Sequence, residues 1–270
     1  MSGPLVLTLM STWRRIKSIT RYKVNFALEL LMSFAWGFGL LVFVPLIDPA
    51  KLQSAVGSSN YFTFLLIGVA FQAYQSAAIW GSPWEIQGEL NTGQIEYTFA
   101  SPVSRYSYIL SYSLSQAIVA TVFDLLPMFA IGMLALGRAP TPASLVLMFL
   151  AIFLCFLVLC QIGVMLSCAL LVFKNISAIM GLMNFLFQVA TGMFVPLQFM
   201  PNEFKLLAFC IPITHGIDLA RHAIMDTSTI WPVEIEIGAL MLFLALFTLI
   251  ARLVVARVEG KAKREGLSLA

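Results

Sequence analysis

Three acids gather in one polar stretch: Glu85, Glu89 and Glu96 lie within residues 85–105, which end in Ser101, Pro102, Val103, Ser104 and Arg105. Glu89, Leu90, Ile95, Glu96 and Phe99 fit a short helix along a membrane face that offers charge and apolar anchors to a soluble partner. A solvated loop fits the same composition equally well. Asp124 is a different kind of carboxylate. It sits inside a long apolar run, three residues before Pro127. A carboxylate at the centre of a spanning helix costs about 2.5–3.5 kcal/mol on insertion scales. Asp124 therefore either serves a substrate path or a subunit seam, or is protonated or bonded to a neighbouring helix through Gln116 or Gln188. Glu29 is closer to an end of its apolar run, within reach of an interface. His215, Asp218 and His222 share one helical face. Imidazole and carboxylate could hold a divalent cation there. The simpler expectation is no metal, with Asp218 pairing to Arg221 or to a histidine.

Some chemistry is excluded outright. The chain has no phosphate-binding loop, since its Gly-Lys pair, Gly260-Lys261, is followed by Ala262. No acid or histidine cluster suits an integral-membrane hydrolase, so no catalytic residue and no cofactor are expected in this chain. Cys155, Cys160 and Cys168 share one apolar segment and read as packing residues, with Cys210 apart.

These residues must be positioned by a membrane bundle. Of 270 residues, 60% are hydrophobic and only 11% charged, and the mean hydropathy is +0.92. Soluble domains run near ~45–50% apolar and ~25% charged, so a soluble protein is excluded. Apolar runs at 24–47, 61–84, 107–136, 143–173, 176–199 and 237–258 predict six helical spans. A tight turn at Lys174-Asn175 would join the fourth and fifth. Bases flank the first and last spans (Arg14, Arg15, Lys17, Arg21 and Lys23 before, Arg252 and Arg257 onward after), while Arg138 and Lys205 are isolated. The positive-inside rule then places both termini in the cytoplasm.

The N-terminus is not expected to be a cleaved signal peptide, because its bases follow its apolar run. Over residues 1–23, Leu5, Leu9, Trp13, Ile16 and Thr20 share one side of a helical wheel. Arg14, Arg15, Lys17 and Arg21 share the other. That pattern predicts an amphipathic interfacial helix on anionic lipid. Region 197–232 is too polar and proline-rich for one span. It predicts two short helices near 202–210 and 214–225 that dip into the outer leaflet. Gly181, Gly192 and Ser177, with Gly163 and Ser167, allow close helix approach that could mark a subunit seam.

Glu89, Gly93, Ile95, Glu96, Ser101, Pro102, Val103, Ser104 and Arg105 resemble a stretch found in ABC-2-type (type V) export permeases. Residues 194–201 and 211–221 resemble that family's re-entrant region before the last span. The resemblance implies an all-α transmembrane subunit with six helices over 24–258 and a cytoplasmic tail at 259–270. It implies a coupling helix at about 88–104, with Glu85, Glu89, Gly93, Glu96, Pro102 and Arg105 at the ATPase contact. Trp13, Arg14, Arg15, Lys17 and Arg21 would form the interfacial helix. Asp124 would line a substrate path or subunit seam. Pro196, Pro201, Pro212, His215, Asp218 and Arg221 would shape an outer gate at about 197–232. The implied partners are two ATPase subunits carrying ATP and Mg, a second and identical permease copy, and membrane lipid, with no nucleic acid. The implied location is the bacterial inner membrane, and the cargo is hydrophobic or lipid-linked. A stand-alone secondary transporter or channel is the alternative. No inverted repeat or charge relay in the spans supports it.

Overall fold

A computed structural model describes residues 4–265, except 40, 41, 43, 46, 47, 59, 102, 138–140, 174 and 175. The expectations for Pro102, Arg138, Lys174 and Asn175 lie outside the described residues, as do the side chains of Leu5, Thr20, Glu29 and Phe99. Among the described residues there is no strand.

The chain begins with α1 (Pro4–Arg21), α2 (Lys23–Gly39), α3 (Pro49–Val56) and α4 (Tyr61–Thr92). Next come α5 (Ile95–Ala100), α6 (Arg105–Ala120), a π turn (Thr121–Leu125), α7 (Leu126–Leu136) and α8 (Pro142–Phe173). It ends with α9 (Ser177–Ala190), α10 (Asn202–Phe209), α11 (Pro212–Met225) and α12 (Val233–Glu265). Among the described residues, four helical stretches are long and apolar enough to cross a membrane: 61–92, 105–135, 142–173 and 233–262.

The expected first and fifth spans come out shorter. For 24–47 the structure has α2, 17 residues, before a segment partly outside the described residues. For 176–199 it has α9, 14 residues. At ~1.5 Å per residue, α9 covers about 21 Å, less than the ~30 Å hydrocarbon core. Hydropathy carried the expected span past Ala190, but Thr191 bonds back to the Phe187 carbonyl and Gly192 turns left-handed at φ 74°. The chain then leaves the helix toward Pro196.

The N-terminal helix lies lengthwise on α6. Ser11 Oγ meets Ser111 Oγ at 3.1 Å, and further along Phe26 packs edge-on against Phe123 at 4.8 Å. Backbone bonds Tyr22 N→Ser18 O and Phe26 N→Tyr22 O, 2.9 and 3.1 Å, carry the helical path from α1 into α2. The wheel's polar side divides in space. Arg14 and Arg15 reach the wall of a cavity in the bundle, Arg14 while still exposed, and Lys17 and Arg21 are exposed with Leu9, Trp13 and Ile16.

The core forms around α4, which α6, α7, α8 and α11 all pack against. Small residues set the spacing. A side chain at Gly163 would stand 2.6 Å from the Ala78 carbonyl and 2.8 Å from Ser113 Oγ. Ser113 and Ser167 each bond to Ser82 Oγ at 2.9 Å, joining α6, α8 and α4 through three buried hydroxyls. Gly163 and Ser167 thus serve packing within this chain and not a seam between copies. A Cβ at Gly181 would meet nothing within 4 Å.

The third expected span is one continuous path, but not a uniform helix. Pro127 has no N–H to give to the preceding turn, and further back Thr121 Oγ1 adds a bond to the Ala117 carbonyl at 2.7 Å. The helix widens there into the π turn that holds Asp124. Such bulges recur at functional sites.

Candidate functional site

The three acids of residues 85–105 have three different surroundings. α4 runs on to Thr92, so residues 88–92 belong to it and not to a separate helix spanning 88–104. Gly93, at φ 71°, caps α4 through its N–H to the Leu90 carbonyl and reverses the chain. The short helix that follows is α5, residues 95–100. Ser104 caps α6, and Arg105 Nη1 donates to the carbonyls of Ser101 and Val103 at 2.9 and 2.7 Å. Gly93 and Arg105 therefore fix the two ends of the elbow that carries α5.

Glu89 is buried, 7% exposed. Its carboxylate accepts hydrogen bonds from the Tyr108 and Tyr112 hydroxyls and from Thr98 Oγ1. One carboxylate thus ties α4, α5 and α6 together. Its expected place on an exposed contact surface is corrected: apolar surroundings make an inward, fully bonded carboxylate the stable arrangement. Ile95, fully buried, anchors α5 from the same side. Glu96 and Tyr97 point outward, and Tyr97 is 81% exposed. Tyr97 is the residue the sequence did not single out. A tyrosine beside two apolar anchors looks no different from packing until the helix phase is known.

Glu85 faces α1. Arg14 Nη2 donates to its Oε2 at 3.0 Å, and Gln116 Nε2 approaches Oε1 at 3.5 Å. The Arg14 guanidinium also lies 5.1 Å from the Tyr112 ring centre. Burial alone would lower the Arg14 pKa, but Tyr112 and Glu85 outweigh it and the net shift is upward. Arg14 is thus a fixed cation between α1, α4 and α6.

Two open cavities lie beside these helices, one of about 890 Å³ around Arg14, Trp80, Trp84 and Glu85, and one of about 440 Å³ around Phe26, Gln72, Phe123 and Asp124. Asp124 is half-buried on the second, and it does not lack interactions.

The residues expected at the outer gate are brought together around α11. Pro212 opens this helix, Pro201 precedes α10, and Pro196 precedes a single 3₁₀ turn at Leu197–Phe199. Arg221 is buried. It donates through Nη1 to the Gly192 carbonyl at 2.7 Å, and through Nη2 to those of Met193 and Phe64 at 2.7 and 3.1 Å. Its guanidinium lies over the Phe64 ring, 3.4 Å from the centre. Arg221 therefore holds the turn after α9 against α4, where sequence reasoning paired it with Asp218. Burial pulls its pKa down to about 9, which leaves it charged at neutral pH.

Asp218 instead accepts the Ile230 N–H at 2.7 Å, and Glu236 the Trp231 N–H at 3.1 Å. Burial raises the Asp218 pKa, against the pull of that N–H. His215 Nε2 bonds to the Phe209 carbonyl at 3.1 Å, and its ring stacks on Trp231. Burial lowers its pKa. His222 Nδ1 meets the Thr227 carbonyl at 2.6 Å. The three candidate metal ligands thus face three different backbone groups. Among the described residues no cluster of three His, Cys, Asp or Glu suits a metal ion.

Comparison with known proteins gives one assignment. Residues 31–253 match a family described as ABC-2 family transporter protein. No curated protein matches the chain.

Proposed function

The chain belongs to the ABC-2 family of transporter proteins, and from that premise we propose that it is the permease subunit of an ATP-driven exporter. The energy comes from two copies of a separate ATPase, which bind the ATP and Mg. The single observation that carries this reading is α5. Buried Ile95, and Thr98 Oγ1 bonded to Glu89 and the Tyr108 hydroxyl, tie it to α4 and α6, while Glu96 and the exposed Tyr97 stand free of the bundle. A charged and aromatic pair on a fixed, short helix is suited to receive force from a soluble partner. Motion of α5 passes directly to α4 and α6, which also line both inner cavities.

The remaining assignments follow the same proposal. Both termini are cytoplasmic, α2 and α9 complete a six-crossing layout in a bacterial inner membrane, and the cargo is hydrophobic or lipid-linked. A second, identical copy covers the outer face of α9, where Leu182 and Phe185 are 60% and 61% exposed. The segment from Leu197 to Pro232, with Pro196, His215, Asp218 and Arg221, acts as the outer gate. Exposed Trp13, Lys17 and Arg21 on α1 contact anionic lipid.

The test is co-purification of the chain with a soluble ATPase, followed by transport in reconstituted vesicles. Glu96→Lys with Tyr97→Ala should release the ATPase and abolish ATP-dependent transport. Full transport by the chain alone, with no ATPase, would overturn the reading.

A further inference from the structure

The two inner cavities share a wall formed by Arg15, Ser76, Ala77 and Gln116. Most charges around them already have partners. Glu85 is bonded to Arg14, Glu89 to two tyrosines, and Asp124 is not free either. Arg15 differs. Its Nε is buried, with no hydrogen-bond partner. A buried donor on a cation is costly unless an acceptor reaches it. Arg15 stands where two cavities meet, so the acceptor can come from outside the chain. A guanidinium fork matches a carboxylate or a phosphate monoester.

Beyond Arg15 the walls turn apolar. Ile19, Phe26, Val69 and Phe123 line the smaller cavity, and Trp80 and Trp84 the larger. Their volumes, about 440 and 890 Å³, lie in the range of small-molecule sites, about 300–1,000 Å³. A charged head alone would leave these walls uncovered. A neutral tail alone would leave Arg15 unpartnered.

We propose that Arg15 is the head-binding residue of a site for an anionic amphiphile, with the acidic head at Arg15 and the tail along Phe26 and Phe123. That the ligand is cargo rests on the exporter reading; that the site binds it does not. Gln72, Gln116 and Ser76 supply neutral hydrogen bonds around the head.

The test uses the full chain with its ATPase in nanodiscs of zwitterionic lipid. The probe is dodecyl phosphate, titrated against empty nanodiscs, with dodecyltrimethylammonium and inorganic phosphate as competitors. Loss of a charge-assisted bond should weaken dodecyl phosphate binding by about tenfold or more in Arg15→Gln. Arg15→Lys should recover part of it, and Lys51→Gln, exposed on α3 away from both cavities, should change nothing. Ala77→Trp fills the shared wall without altering charge and should also remove binding. Neither competitor should displace the probe. Unchanged binding in Arg15→Gln and Ala77→Trp, or equal displacement by the cationic amphiphile, would overturn the site. An anionic lipid that co-purifies with the native chain but not with Arg15→Gln would identify a resident lipid as the occupant. ATPase stimulation by dodecyl phosphate would identify cargo. If no ATPase binds the native chain, the exporter reading fails, while the binding result still decides the site.

Discussion

Arg14 and Glu85 join the N-terminal helix to the end of α4, Nη2 to Oε2 at 3.0 Å, with side chains 58% and 30% exposed. The pair lies at the rim of the larger cavity. It therefore sits between the elbow that holds α5 and the wall that holds Arg15. α1 is not an appendage of the bundle but one wall of that cavity.

Exposed ion pairs contribute about 0.2–1 kcal/mol, so Arg14–Glu85 should matter little for folding. A double-mutant cycle with Arg14→Ala and Glu85→Ala should give a coupling of less than about 1 kcal/mol in thermal stability, and less again in high salt. Coupling of several kcal/mol would show that α1 depends on the bridge and not on its packing against α6.

Arg221 should be more costly to remove. Arg221→Met strips donors from the Gly192 and Met193 carbonyls, which then lie buried beside α4. Each unsatisfied acceptor costs roughly 1–3 kcal/mol. Release of the arginine's own burial cost offsets part of that, for a net loss on the order of 2–4 kcal/mol. Arg221→Lys keeps the charge but cannot span both carbonyls, so it should fall between. Thermal unfolding of the purified variants gives the order. A Met variant as stable as the native chain would mean that the turn after α9 is held elsewhere.

How much of this was legible differs by element. The apolar parts of the long helices, 61–84, 143–173 and 237–258, follow from their apolar runs, and α10 and α11 from their prolines, whereas the polar residues 85–92 gave no sign that α4 continues through them. The end of α9 at Ala190 was hidden because Phe194, Val195 and Leu197 keep the hydropathy high beyond it. The roles of Glu85, Glu89 and Glu96 were hidden for another reason. Acids at such spacings all look like a surface, and only the phase of α4 against Tyr108 and Tyr112 turns Glu89 inward. Nearness in sequence points Asp218 to Arg221 or to a histidine, and so hides the place of Arg221. Its carbonyl partners come from residues 64, 192 and 193, which no local pattern connects.

His215 gives a pH prediction. With Nε2 donating to the Phe209 carbonyl, Nδ1 is bare, buried and without a partner. Protonating it would bury an unpaired N–H, in line with a pKa lowered from 6.5 by burial. Below pH 6.5 the unfolded chain takes up a proton that the native chain refuses. Stability should therefore fall as pH drops from 6.5, levelling off below the lowered native pKa. Asp218 works in the opposite sense. Its raised pKa gives stability that is full below its ordinary 3.8 and lost as pH rises through the native value. His215→Gln should remove the first slope and leave the second. Protease resistance of the 197–232 region, followed from pH 7.5 to 4.5, measures both. An unchanged acid-side loss in His215→Gln would assign it to another group.

The sharpest separation is between Glu89 and Glu96, which sequence placed in one role. Glu89→Ala removes the acceptor for Tyr108 and Tyr112 inside a packed elbow. Hydrogen bonds to a charged group contribute roughly 1.5–3 kcal/mol each, so the loss should be on the order of 3 kcal/mol. Glu89→Gln keeps an acceptor oxygen and should lose about half as much. Glu96 is exposed, and a surface substitution away from structural bonds stays within about 0.5 kcal/mol. Glu96→Lys should therefore leave the melting temperature nearly unchanged and still lose ATPase in a pull-down. Glu89→Gln should melt lower and yet keep the ATPase at temperatures where it is folded. If Glu96→Lys retains the ATPase while Glu89→Gln releases it from a folded chain, the contact lies on the α4 side of the elbow and not on α5.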